Sequence, residues 1–418
     1  MAKKSKIYGL PENRGFKRDY PGINNQYTAQ GKRIRREKAL RISGTIFGFV
    51  FIFIVAYFVT SLMIDISNRP IIEKTEPETQ QEQGNAVADE QTTAAMPQQT
   101  NMQMKAVWVN SLVFRSEQNE QSFIDAVKAK GINTVVIDFK RSDGTLSYNS
   151  TATEADKIGS NKSTVKDLSQ RLEQLKESGL NVVARICCFK DPLAPKTIKT
   201  AAVHYKNTEG LWYNNYIDHG GEPWLNPYSQ EAQQYLLSII KEVNDMSVDG
   251  ILLDYVQFPS GYALDQATFD GEGSGESRNK TLLSFIDLVK ATIGREKTVI
   301  VSMTGDGALN GNSQFYDGTL IDSDAGVVSP DLRFSQLKAI KVGDTDFASP
   351  INQQLEFITL AGEQLVRRTT IGGRTKTVMP WIEVSEATTA TLQEQLKALE
   401  DAGITSYILY NSSASYNY

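Results

Sequence analysis

The chain has 418 residues, 40% of them hydrophobic and 22% charged, enough apolar material for a large core and incompatible with disorder throughout. Its formal charge of -5 hides an asymmetry: residues 1–42 hold twelve Lys or Arg against three Asp or Glu, and the remainder holds 32 against 46. A body this acidic argues against nucleic acid or another phosphate-rich polymer as the main partner.

Residues 1–43 form a basic segment ending in Lys32, Arg33, Arg35, Arg36, Lys38 and Arg41. Residues 44–64 follow, 21 positions with no Asp, Glu, Lys, Arg or His. At about 1.5 Å of rise per residue this is long enough to cross a bilayer, and it exceeds the roughly 7–15-residue apolar core of a signal peptide. A single transmembrane helix is therefore expected, with the positive flank in the cytoplasm and everything after it outside the cell membrane. Residues 65–104 lack any aromatic residue and are rich in Gln, Thr, Glu and Ala. Such a segment cannot bury enough apolar surface to offset its ordering, and it reads as a disordered tether.

From Lys105 onward one pattern recurs: an amphipathic helix closes on a turn and a short apolar strand follows. The repeats are AVKAKGINTVVIDF, QLKESGLNVVARICCF, EVNDMSVDGILLDY and ALEDAGITSYILYN. Gly131, Gly179 and Gly403 stand where a left-handed residue ends a helix. The third repeat is the clearest. Ser229 can cap a helix whose Ala232, Tyr235, Leu236, Ile239, Ile240, Val243 and Met246 share one face, and the strand after it ends abruptly at Asp254. Further strands are expected at 106–110, 298–303, 326–329 and 377–383. Eight strands alternating with helices, with no glycine-rich dinucleotide fingerprint, predict a (β/α)8 TIM-type barrel over residues 105–418, with the last helix missing because the sequence stops at Tyr418. The segments after strands three, four and six are long and polar. A barrel with its site at the C-terminal ends of the strands has this asymmetry.

The polar residues at predicted strand ends are Asp138 and Lys140, Arg185, Asp254, Asp306, Asp331, Glu383 and Asn411. Two carboxylates around a cleft suit glycosidic cleavage, one protonating the leaving oxygen and the other attacking or activating water. A cation such as Lys140 or Arg185 would keep the second carboxylate ionised. Trp212, Tyr213, Tyr216, Trp224, Tyr255, Phe258, Tyr262 and Trp381 fall in or beside the long loops, where they either stack on sugar rings or pack the loops down. Cys187 and Cys188 are adjacent in a strand and point to opposite faces, so no disulfide is expected. His204 and His219 lack metal-ligand spacing, so neither a metal nor another cofactor is expected.

These motifs resemble the putative glycoside hydrolase domain family of bacterial envelope proteins, TIM barrels first catalogued as a domain of unknown function. The resemblance rests on VVIDFKRSDG (135–144), ARICCFKDP (184–192), WLNPYSQEAQQY (224–235), DGILLDYVQFP (249–259), MPWIE (379–383) and AGITSYILYN (402–411). It implies a (β/α)8 barrel that hydrolyses a polysaccharide, with Asp138, Arg185, Asp254 and Asn411 on matched positions. The chain departs from the family pattern at Gln257, where an arginine is usual, at Thr304, where an aspartate is usual, and at Arg141, Ser142 and Glu383. The leading expectation is a membrane-anchored hydrolase of an envelope or extracellular polysaccharide. Asp254 serves as nucleophile or base and Glu383 or Asp306 as general acid, with Asp138 beside them; Lys140, Arg185, Trp224, Tyr255, Trp381 and Asn411 hold substrate. The alternative, motivated by Gln257 and Thr304, is a noncatalytic barrel that binds glycan or an envelope partner.

Overall fold

A computed structural model describes residues 103–416 apart from 111, 112, 164, 312, 372, 373 and 385–388. The expected basic segment, transmembrane helix and nearly all of the tether lie outside the described residues. Among the described residues no helix is long and apolar enough to cross a membrane.

Eight parallel strand positions close into a barrel. They are β1 (Lys105–Val109), β2 (Thr134–Lys140), β3 (Asn181–Cys187), β4 (Gly250–Asp254), β5 (Thr298–Thr304), β6 (Val327–Asp331), β7 in two pieces (Thr377–Val378 and Trp381–Glu383) and β8 (Tyr407–Tyr410). Closure is visible in the register of the last strand on the first, Tyr407 opposite Lys105 and Ile408 opposite Ala106. The connecting helices are α1 (Glu117–Ala129), α2 (Leu168–Glu177), α3 (Gln230–Asn244), α4 (Arg278–Ile293), the short α5 (Gly305–Asn310), α6 (Gln354–Thr369) and α7 (Thr389–Asp401). The expected alternation therefore holds, with one difference. The strand predicted over 377–383 is interrupted at Met379 and Pro380, because proline has no N–H to donate to a ladder.

Two apolar clusters show which face of each strand is which. A small one made of Ala106, Val136, Val183, Leu252, Ile300, Val327, Met379, Trp381 and Ile408 fills the barrel's interior. The larger one, including Val135, Ile137, Val182, Ile251, Leu253 and Val301, lies between strands and helices. Side chains alternate along a strand, so Asp138 shares the inner face with Val136, Arg185 with Val183, and Asp254 with Leu252. That assignment decides where the polar ends of the strands point.

The helices form for local reasons. Ser229 accepts the Ala232 N–H at 3.2 Å, a cap worth about 1 kcal/mol, and the predicted stripe from Ala232 to Val243 is buried. Met246 falls just past the end of α3 rather than on it. Gly131, Gly179 and Gly403 have φ of 73°, 84° and 94°, the left-handed conformation their positions called for. The long segments after β3 and β4 are tied together by a short antiparallel pair, His204–Tyr205 with Ala267–Thr268, which sequence reasoning had read as plain loop.

Candidate active site

The mouth at the strands' C-terminal ends is built around one guanidinium. Arg185 on β3 donates from Nη1 to Asp138 Oδ1 at 2.7 Å, and from Nε and Nη2 to Asp254 Oδ2 at 2.9 and 2.5 Å. The register makes this reachable, since Asp138 lies opposite Arg185 and Asp254 opposite Cys187. Two oxygens held on different edges of a planar guanidinium are roughly 6 Å apart, between the roughly 5–5.5 Å separation of retaining and the roughly 6.5–9.5 Å separation of inverting glycosidase carboxylates. The three side chains are only 14–17% exposed. Burial opposes the charge on Arg185, but the Asp138 and Asp254 carboxylates outweigh it and hold the guanidinium well above its usual range.

Each carboxylate has a further partner. Asp138 Oδ1 also accepts the Trp108 indole N–H at 2.9 Å. Asp254 Oδ1 accepts the N–H of Tyr255 at 2.8 Å. Tyr255 achieves this with φ of 52°, a left-handed conformation that strains a residue with a side chain and is often kept where a site demands it. Its ring stands beside the Lys190 ammonium at 5.2 Å and edge-on to Trp224 at 6.1 Å.

A second ion pair faces the mouth from β6. Arg333 binds Asp331 in a bidentate pair along one edge, Nε to Oδ1 at 2.8 Å and Nη2 to Oδ2 at 2.6 Å. Both arginines rest on the Trp381 ring, Arg185 at 5.8 Å and Arg333 at 5.5 Å, and Arg333 also lies 4.4 Å from the Tyr410 ring. The Trp381 indole N–H is fixed by Ser302 Oγ at 3.2 Å. Glu383, two residues beyond Trp381 on the same strand face, is 4% exposed and accepts the Ser335 N–H at 2.7 Å.

The family model described as "Putative glycosyl hydrolase domain" matches residues 106–416. The chain belongs to this family. Among solved structures, the chain is similar to a hypothetical protein from Ruminiclostridium thermocellum (25% identity, 47% of this chain and 96% of that one, TM-score 0.42). It is also similar to a cycloalternan-forming enzyme from Listeria monocytogenes (14%, 74% and 29%, 0.48) and to the glycoside hydrolase domain of PelA from Pseudomonas aeruginosa (10%, 76% and 98%, 0.41). No curated protein sequence matches it significantly.

In this glycosyl hydrolase-type barrel the expected residues divide. Asp138, Arg185 and Asp254 meet, with Tyr255 alongside. Trp381 is at the mouth but 3% exposed, so it supports the arginines instead of offering an open ring, and Trp224, 4% exposed, backs Tyr255 in the same way. Lys140 goes elsewhere. The register shifts between Asp138 and Lys140, and the ammonium turns into the layer between sheet and helices, fully buried, 2.8 Å from Asp191 and 6.0 Å from the Tyr235 ring of α3. It cannot touch a substrate there. Asp306 is exposed on the first turn of α5, where its Oδ1 accepts a hydrogen bond from Asn310 Nδ2 at 2.8 Å. Asn411 closes a turn by accepting the Ser413 N–H at 2.9 Å. Thr304 caps α5 by accepting the Gly307 N–H at 3.2 Å.

Two participants were missed. Arg333 lies past the end of β6, in Asp331-Leu-Arg333, where the spacing of an acid and a base two residues apart was a usable signal. Trp108 was hidden inside an apolar strand, where only knowledge of the inner face marks its indole.

The two cysteines are buried and free. Burial pushes the Cys187 thiol up to about 12 and Cys188 well above its ordinary value. At pH 8 a maleimide is therefore expected to label neither in the folded chain and both after denaturation. Rapid labelling of native Cys187 would mean that the mouth opens far wider than this geometry allows.

Proposed function

We propose that the barrel hydrolyses glycosidic bonds in a polysaccharide, and the observation carrying this is the Arg185-bridged Asp138–Asp254 pair at the C-terminal ends of the strands. Asp254, gripped by Arg185 through Nε and Nη2, is the nucleophile or water-activating base. Glu383, on the inner face of β7, is the general acid, and Asp138 with Trp108 fixes the orientation of Arg185. The family's description supports glycosyl hydrolysis as the reaction class. Release of reducing ends from cell-wall and capsular glycans tests it, and an unchanged glycan after prolonged incubation would count against hydrolysis.

The two acids are separable by substrate. A lost general acid matters little when the leaving group departs unaided, so Glu383→Gln is expected to be far more active on an aryl glycoside with an acidic phenol than on a polysaccharide. Equal losses on both would remove Glu383 from that role.

One observation favours a noncatalytic reading. Both oxygens of Asp254 already accept hydrogen bonds, which weakens a nucleophile. Binding of glycan with no product from any substrate would establish that alternative.

We also propose that residues 44–64 anchor the chain in the cell membrane with the barrel outside it. The apolar length and the basic flank support this. Protease added to intact cells is then expected to degrade the barrel and spare cytoplasmic markers; protection of the barrel would reverse the orientation.

A further inference from the structure

We propose that Tyr216 and Tyr262 form a second carbohydrate-binding site, an outer platform on which pyranose rings of a polysaccharide stack outside the acidic mouth. The proposal takes its ligand class from the carbohydrate reading above but does not depend on hydrolysis.

The aromatic residues of the long loops separate cleanly by burial. Trp212, Trp224, Phe258 and Phe269 are at most 4% exposed and fill the space beneath the loops. Tyr216 and Tyr262 are 49% and 51% exposed, and the neighbouring Ile217 is 70% exposed. The other large exposed hydrophobics among the described residues, Leu288 and Leu355, belong to α4 and α6. A solitary exposed apolar side chain needs no explanation, whereas a gathered group of them does.

The two rings come from different loops, one leaving β3 and the other leaving β4, and their centroids are 4.3 Å apart with a 36° tilt. The backbone beneath them is fixed without help from the rings. Tyr262 N–H donates to Asn214 O at 2.9 Å, Gly221 N–H donates to Tyr216 O at 2.8 Å, and Asn214 Oδ1 accepts the Glu222 N–H at 2.8 Å. Gly221 and Gly261 permit this closeness, since a Cβ on either would lie 2.1 or 2.2 Å from a backbone oxygen of the opposing segment. The rings thus stand out to solvent over a hydrogen-bonded base, on which Tyr216 also lies edge-on to His219 at 5.8 Å. Preorganised tyrosines, apolar on the face and polar at the tip, suit the C–H face and hydroxyl rim of a sugar.

The platform is also continuous with the mouth. Tyr255, next to Asp254, has its ring beside Lys190; Lys190 reaches Glu222 at 3.8 Å; and Glu222 is bonded to Asn214, which holds Tyr262. A glycan long enough to cover this path would engage both places, and a short oligosaccharide in the mouth would not. Tethering at the second place raises the effective concentration of polymer at the first.

The test uses the full chain carrying Asp254→Asn, which consumes no glycan if the hydrolase reading holds, alone and combined with Tyr216→Ala and Tyr262→Ala or with Tyr216→Phe and Tyr262→Phe. Each form is run through affinity gels containing a neutral glucan, a soluble N-acetylglucosamine polymer or solubilised cell-wall glycan. The alanine pair is expected to weaken retention about tenfold or more on the polymer that binds, while the phenylalanine pair, which keeps the rings, retains most of it. Equal retention by all forms, equal loss in the phenylalanine pair, or no retention of any polymer would overturn the platform. The hydrolase reading is judged separately from reducing ends released by the chain with Asp254 intact. Ring-dependent binding without product leaves the platform standing and removes hydrolysis; product with ring-independent binding does the reverse.

Discussion

Asp254→Asn is expected to lower polysaccharide hydrolysis by about 10²–10⁴-fold, with most of the loss in kcat. The substitution is nearly isosteric. An asparagine oxygen can still accept the Tyr255 N–H that Asp254 Oδ1 now receives, so the strained turn at the end of β4 has a partner. What disappears is the negative charge opposite Arg185 and the lone pair that would attack carbon or water. KM should change little, because a group acting in the transition state contributes little to binding the ground state. Equal product release by both forms would take Asp254 out of the mechanism and leave Asp138 as the acid to examine.

Arg185→Leu is expected to damage both stability and activity. Removing one partner of a buried ionic group typically costs about 3–5 kcal/mol, because the charges left behind have lost their compensation. Here Asp138 and Asp254 would face each other across an apolar side chain, 14% and 17% exposed. Denaturant titrations of both forms check the size of the loss, and a deficit below about 1 kcal/mol would mean that the guanidinium does not hold the two carboxylates together. Arg185→Lys should recover only part of the loss, since one ammonium cannot reproduce three directed donors in a plane.

Much of this arrangement was legible before any coordinates. Period-two alternation ties Asp138 to Val136 and Asp254 to Leu252, and an apolar run ending in an acid is costly unless the acid is employed, so the two residues that meet on Arg185 were both named. The helix stripe on α3 and its Ser229 cap follow from spacing and side-chain chemistry alone. What failed did so where periodicity ends. The bulge after Asp138 adds a residue that no pattern announces, and it sends Lys140 into a different layer. Asp306 falls just beyond β5, as expected, but there the chain has already turned into a helix capped by Thr304. Trp381 and Trp224 were taken for open stacking surfaces because composition reports an aromatic near a loop without reporting which way it leans.

Trp381 touches both guanidiniums of the mouth, so the β3 and β6 sides of the opening share a mechanical element. A substitution that removes this indole would therefore unseat Arg185 and Arg333 together, and with Arg185 the two acids it grips.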